Sequence, residues 1–180
     1  LVSVSGGGMK GKTGIASRIF AAVSRAGISM LLITQSSSEY TISFCVRQSQ
    51  SVEVKDVLES EFAFEIRDGL INPISVIENC AIVSIVGDGM KQNRGVAGKF
   101  FNALSSRSIN ILAIAQGSSE RSISTVIAGE YGDIAVKTTH RFFFNTTQPI
   151  EVFAFGAGTI GGALLDQIYK QQKILKEQNI

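Results

Sequence analysis

Apolar and polar positions alternate over Leu1–Ser5, a period of two that predicts a strand. A glycine-rich turn, Gly6–Gly14, follows. Ile15, Ile19 and Val23 then recur at helical spacing, with Ala16 and Phe20 beside them. This is one face of a helix that ends near Gly27. Ile28–Ile33 is nearly all apolar and predicts a strand covered on both faces. Ser36–Glu39 is a polar turn. Tyr40, Ile42, Phe44 and Val46 alternate with Thr41, Ser43 and Cys45, the pattern of a half-buried strand. Val54, Val57, Leu58 and Phe62 form a second helical face, and Phe64–Arg67 reads as a short strand before the Asp68-Gly69 turn. The predicted order is βαββαβ.

The order then returns. Residues 83–127 repeat residues 2–46 at a constant offset of 81, without a gap and with 20 of 45 positions identical. The second copy predicts a strand near 81–86, a helix over 94–107, strands over 109–115 and 121–128, and a helix over about 132–143. One structural unit is therefore built twice. With right-handed crossovers, each unit predicts a four-stranded antiparallel sheet with both helices on one face: a ferredoxin-like α+β sandwich within the broad α/β class.

The expected units are 1–79 and 80–144, followed by a polar linker, 145–149. Over 150–180 the texture changes. Ile150–Phe155 is an apolar run, Gly156-x-Gly158-x-x-Gly161 follows it, and Ile160, Leu164 and Ile168 share one side of a helix. Strand, glycine turn and helix in that order predict the first βα of a dinucleotide-binding Rossmann domain, with Gly156, Gly158 and Gly161 as its incomplete cofactor site. The chain reads as a stretch of a longer protein.

Composition narrows the chemistry. Net charge is +2 with 18% charged residues, and no Lys/Arg run tracks phosphates, so nucleic acid is not an expected partner. No apolar stretch has the length of a membrane span and no signal peptide is visible. Cys45 and Cys80 have neither disulfide-framework nor metal-ligand spacing and read as buried thiols of a reducing cytosol.

Gly6-Gly7-Gly8-Met9-Lys10-Gly11-Lys12-Thr13 matches the P-loop pattern, but the second copy, from Gly87 to Arg94, loses the Gly-Lys-Thr. Both copies keep Gly-x-Gly-Met-Lys and the glycine at Gly14 and Gly95. The shared reading is a tight turn at a helix N-terminus whose amides suit a small anion such as a carboxylate. Gln35 and Gln116 end the equivalent second strands. A carboxamide facing that anion hole describes a pocket for a free amino acid. Ser37-Ser38-Glu39, echoed at Ser118-Ser119-Glu120, reads as a solvated turn, and His140 as structural.

LLITQSSSE with Gln35, its echo ILAIAQGSSE, and the two GMK turns resemble the paired ACT domains of aspartate kinases. IEVFAFGAGTIGGALLDQI resembles the start of a homoserine dehydrogenase domain. In that order they resemble the threonine-sensitive bifunctional aspartokinase–homoserine dehydrogenase family. The resemblance implies a cytoplasmic, homodimeric enzyme using ATP with magnesium and NAD(P), flanking kinase and dehydrogenase domains, and here a regulatory region without catalytic residues, cofactor or metal of its own. It implies L-threonine as effector, held by Met9, Lys10, Gly11, Gly14, Ile15, Ser29, Met30 and Gln35, and in the second copy by Met90, Gln92, Gly95, Val96, Asn110, Ile111 and Gln116. The unequal loops imply unequal sites. A P-loop nucleotide-binding protein and a ligand-free dimerisation module are the alternative readings.

Overall fold

The computed structural model describes residues 1–36, 40–90, 92–117, 121–144 and 158–177. The chain divides into two compact units, Leu1–Asn145 and Thr146–Ile180.

In the first unit, β1 (Val2–Ser5), β2 (Leu32–Gln35), β3 (Thr41–Cys45) and β4 (Ser75–Val76) form a four-stranded sheet in the order β2-β3-β1-β4. All three pairings are antiparallel, with Val2 opposite Phe44 and Gln35 opposite Ile42. Helices α1 (Ile15–Arg25) and α2 (Ser51–Glu61) lie side by side and cover one face. Ile15, Ile19, Ala22 and Val23 bury the predicted stripe of α1 against Val2, Val4, Phe44, Val54, Leu58 and Phe62. The C-terminus of α1 is closed by Gly27 in the left-handed region. The Gly27 and Ile28 N–H groups donate to the Ser24 and Val23 carbonyls, the Schellman pattern.

The second copy repeats this arrangement. Strands β5 (Cys80–Val86), β6 (Ile111–Gln116) and β7 (Ser122–Ala128) pair antiparallel in the order β5-β7-β6, under α4 (Val96–Ser105) and α5 (Gly132–Phe144). Val83, Phe100, Leu104, Ile109, Ile123, Ile127 and Ala135 form its core. The repeat reaches single hydrogen bonds: Ser3 and Ser43 hydroxyls meet at 2.8 Å, and their equivalents Ser84 and Ser124 at 2.7 Å. The helix-free faces of the two sheets meet in a small apolar cluster of Leu32, Cys45 and Val126, edged by Leu1, Cys80, Leu112, Ala113 and Ala115.

Three expectations need correction. Phe64–Arg67 is not a strand but lies in the short helix α3 (Ala63–Arg67), and the fourth strand comes later, at Ser75–Val76. The segment remains helical because the Ile66 and Asp68 N–H groups donate to the Phe62 and Phe64 carbonyls, continuing the turn that ends α2. The second strand begins at Leu32; Ile28 is buried, but as the residue that closes the α1 cap. The second sheet has three strands among the described residues, not four.

In the second unit, α6 (Thr159–Glu177) contains Gly161, with Gly158 just before it. Its predicted apolar side, Ile160, Leu164 and Ile168, is exposed. The expected linker, the apolar run Ile150–Phe155 and Gly156 lie outside the described residues, as do Ser37–Glu39, Lys91 and Ser118–Glu120.

Candidate effector site

The glycine-rich turn is shaped by packing. A Cβ at Gly6 would stand 2.4 Å from the Leu70 carbonyl oxygen and 2.6 Å from Ile71 Cα, and one at Gly8 would stand 2.6 Å from Leu70 Cβ. These glycines let residues 70–71 close over the turn. The amides are then spent internally: Gly6 N–H donates to Tyr40, Gly8 N–H to Leu70, Met9 N–H to Gly6 and Lys12 N–H to Met9. A P-loop needs such N–H groups turned outward around phosphate, so the nucleotide reading finds no support in this geometry.

An anion site remains one step further on. Gly14, at φ 91°, turns the chain into α1, which has no side-chain cap at its N-terminus. The first-turn amides of an α-helix have no intrahelical acceptor, so this end carries partial positive charge. A cavity of about 320 Å³ opens there, lined by Met9, Gly11, Lys12, Thr13, Gly14, Ile15, Ala16, Gln35 and Ile42. Met9 and Ile15 reach it from the core, whereas Gln35 is exposed at the end of the edge strand β2.

Of the expected contacts, the fold brings Met9, Gly11, Gly14, Ile15 and Gln35 to one cavity. Lys10 does not line it; its Nζ lies 5.6 Å from the Tyr40 ring centroid. Ser29 and Met30 line a different cavity, of about 450 Å³, with Phe20 and Ile33. The effector loop implied by the resemblance, Met9 to Ile15, also takes in Lys12 and Thr13, which line the cavity; Ala16 and Ile42 were missed. Ile42 was readable as the cross-strand partner of Gln35 once the β2–β3 register was set.

The second copy holds the same frame with a different loop. Gly95 has φ 85°, matching Gly14, and Gln116 ends β6 opposite Ile123 as Gln35 ends β2 opposite Ile42. At the position of Lys12 stands Asn93. Its backbone N–H is shared by the Gly89 and Met90 carbonyls, and its Nδ2 donates to Gly89 O at 3.1 Å. The turn is folded on itself by this residue. Met90 and Val96 pack partly buried against the core, whereas Gln92 and Asn110 are exposed; Ile111 begins β6. Asp88 and Arg121 form an exposed ion pair beside the turn, where the first copy has Gly7 and Tyr40.

Behind the first cavity, Arg18 ties α1 to the end of α2 and to α3. Its guanidinium donates to Glu61 Oε1 at 3.0 Å, to the Glu61 carbonyl at 2.8 Å and to Glu65, and Arg25 adds a 2.8 Å bond to Glu61. Hydrogen bonding from Arg18 is the main reason the Glu65 carboxyl sits below its usual range, and the charge of Lys12 contributes. The same contacts, Glu65 first and then Glu61, raise the Arg18 pKa. Arg18 also lies over Phe62, 4.5 Å from the ring centroid, as Lys99 lies 5.0 Å from the Phe143 centroid in the second copy. No group of three or more His, Cys, Asp or Glu side chains among the described residues could hold a metal.

Known proteins share this duplicated frame. The ACT domain model matches residues 2–62 and again 83–143, in step with the internal repeat. The chain belongs to the ACT-domain family. Among relatives of this tandem ACT region, a bifunctional aspartokinase/homoserine dehydrogenase of Haemophilus influenzae is 50% identical over 180 residues, 100% of this chain and 22% of that protein. A chloroplastic bifunctional aspartokinase/homoserine dehydrogenase of Arabidopsis thaliana is 41% identical over 178 residues, 99% of this chain and 20% of that protein. The chain thus spans about a fifth of the length of these relatives. Among solved structures, the ligand-free regulatory subunit of aspartate kinase from Thermus thermophilus is similar with a TM-score of 0.66 and 30% identity, covering 79% of this chain and 91% of that one. Aspartate kinase from Synechocystis gives 0.68 and 31%, covering 85% and 26%. The reading of two tandem ACT domains with an α+β fold therefore stands.

Proposed function

We propose that this tandem ACT region is the regulatory part of a bifunctional aspartokinase/homoserine dehydrogenase, and that the cavity at the α1 N-terminus takes L-threonine as feedback inhibitor. The observation that carries the reading is one cavity of about 320 Å³ lined by an uncapped helix N-terminus, Lys12 and Gln35. The helix amides and Lys12 suit the ligand carboxylate. The Gln35 oxygen accepts from its ammonium group, and the carboxamide NH₂ donates to its hydroxyl. Met9, Ile15 and Ile42 leave an apolar wall for the methyl group.

A homodimer completes this site. Strand β2 is an edge strand, with Ser29 and Met30 just before it and Gln35 at its end. Antiparallel pairing of two such edges sets the start of one against the end of the other, which brings Ser29 and Met30 of a second copy toward Gln35. A ligand at the seam then favours one arrangement of the pair. A coupling of about 1–3 kcal/mol is enough to inhibit attached catalytic domains. Kinase and dehydrogenase activities, with ATP–magnesium and NAD(P), belong in this proposal to the flanking domains of the longer cytoplasmic chain, Gly156, Gly158 and Gly161 being the opening of the dehydrogenase cofactor site.

The test is calorimetric titration of the chain with threonine, lysine and methionine, with ATP–magnesium as control, repeated on Gln35→Ala. Threonine-selective binding that weakens at least about tenfold in the variant is expected, roughly the worth of a ligand hydrogen bond. Equal affinity of Gln35→Ala and parent, or heat with ATP–magnesium alone, refutes the assignment. Dimerisation without any amino-acid binding points instead to a ligand-free pairing module.

A further inference from the structure

The two thiols of the chain come together at the seam between the ACT copies, far apart in sequence. Cys45 is the last residue of β3 in the first copy, and Cys80 is the first residue of β5 in the second. Both belong to the apolar cluster built on Leu32 and Val126, and both line a cavity of about 320 Å³ whose walls include Val46, Arg47, Ile77 and Glu78. Leu1 lies beside both. Val2 stands opposite Phe44, so one step along the antiparallel register sets Leu1 opposite Cys45. Cys80 Sγ lies 4.0 Å from the Leu1 nitrogen. Leu1 therefore neighbours both cysteines, and the two thiols share one cluster and one cavity wall across the seam, where a disulfide needs a Cα separation of roughly 4.4–6.8 Å.

We propose that Cys45 and Cys80 form an oxidation-sensitive pair that closes into a disulfide across the seam. The two thiols have different roles. Cys80 is partly exposed and meets the oxidant; Cys45 is 4% exposed and resolves the product. With a hydroperoxide, the Cys80 sulfur attacks the O–O bond and becomes a sulfenic acid, releasing water when the oxidant is hydrogen peroxide. The Cys45 sulfur then attacks the sulfenic sulfur, the S–S bond forms, and the hydroxyl leaves as a second water with the Cys45 proton. Two thiols lose two electrons and the peroxide oxygen–oxygen bond takes them up. Burial raises the Cys45 thiol pKa and shields Cys45 from direct oxidation. The bridge joins β3 of one copy to β5 of the other and holds the two sheets in the relation seen here.

The test is treatment of the full chain with a modest excess of hydrogen peroxide, alkylation of the remaining thiols, and peptide mapping without reductant. A Cys45–Cys80 linked peptide is expected, together with loss of both alkylation sites, reversal by reductant, and a Tm higher than that of the reduced chain by about 5 °C or more. Cys80→Ser must abolish the linked peptide and the Tm rise while leaving Cys45 alkylatable in the unfolded chain. The proposal is overturned by a Cys80–Cys80 link between chains, by sulfinic acid at Cys80 with Cys45 still free, or by a chain that peroxide leaves unchanged.

Discussion

The two ACT copies share a backbone plan and differ in what that plan encloses. The first has four strands, a salt-bridged clamp of Arg18, Arg25, Glu61 and Glu65, and an open cavity at its helix N-terminus. The second has three strands among the described residues, Phe142 where Glu61 stands, and a turn closed by Asn93. What both retain is the equipment of the fold: Gly14 and Gly95, the paired serine hydroxyls, the cation over Phe62 or Phe143, and the strand-ending glutamines. The changes include the loop and the outer helix surfaces, and also core positions such as Ile19/Phe100 and Phe44/Thr125. Duplication has therefore preserved the scaffold of two sites while altering one of them.

The core offers the harshest way to break the comparison. Ile19 and Phe100 occupy the same repeat position and are both fully buried. Phe100→Ala should cost about 3–5 kcal/mol and Ile19→Ala about 2–5 kcal/mol, read from denaturant midpoints. If one copy alone melts in each variant, the copies fold independently; a single shared transition shows that the apolar seam couples them.

Ligand binding sharpens the contrast. With Lys12 lining the first cavity and the Asn93 side chain bonded back into its own turn, Gln35→Ala should reduce threonine affinity at least about tenfold, and Gln116→Ala less. Equal losses in calorimetry would mean that the closed turn opens readily and that the copies are equivalent after all.

The clamp gives the first copy a pH signature. Glu65 has its folded pKa depressed by Arg18, so the stability it contributes is present above the ordinary carboxylate pKa of about 4.3 and is lost as pH falls through the lower folded value. Glu65→Gln should cost about 1 kcal/mol near neutrality, a figure limited by partial solvent exposure, and should flatten the acid limb of the stability curve. An acid limb unchanged in the variant would assign that loss to other carboxylates.

Smaller effects test the repeat at single residues. Ser108 has φ 53° at the position of Gly27, and both close a Schellman cap. Ser108→Gly should stabilise the chain by up to about 1 kcal/mol in thermal melts, since a left-handed non-glycine residue costs about 1–2 kcal/mol and glycine returns part of that as unfolded-state entropy. Thr139 Oγ1 is buried without a hydrogen-bond partner among the described residues. Thr139→Val should be neutral or stabilising by about 1 kcal/mol; a clear loss would reveal a partner for that hydroxyl.

Much of the fold was readable because each copy checks the other. Helix faces spaced as Ile15, Ile19 and Val23 and alternation as in Tyr40–Val46 report burial directly. Phe64–Arg67 misled because four residues with two apolar positions fit a strand or a turn of helix equally, and its helical state depends on carbonyls left over at the end of α2. The glutamines were legible as polar interruptions of apolar strands. The role of Gly6 and Gly8 was not, since it depends on Leu70 and Ile71 arriving from more than 60 residues away. Nor was the separation of Ser29 and Met30 from Gln35, because a strand brings its two ends to opposite sides of the sheet.

Strand β5 has its ladder on one side only, and among the described residues no strand pairs with its other edge. The corresponding side of β1 carries β4. Every second amide and carbonyl of β5 therefore faces outward beside Val86 and Phe144, both largely exposed. Such an edge accepts any extended polypeptide with matching register. In dilute solution it behaves as a vacant seat; in a concentrated one it recruits neighbours. Light scattering over a dilution series, with a lysine introduced at Val86 as control, would show whether colloidal behaviour is governed by this strand.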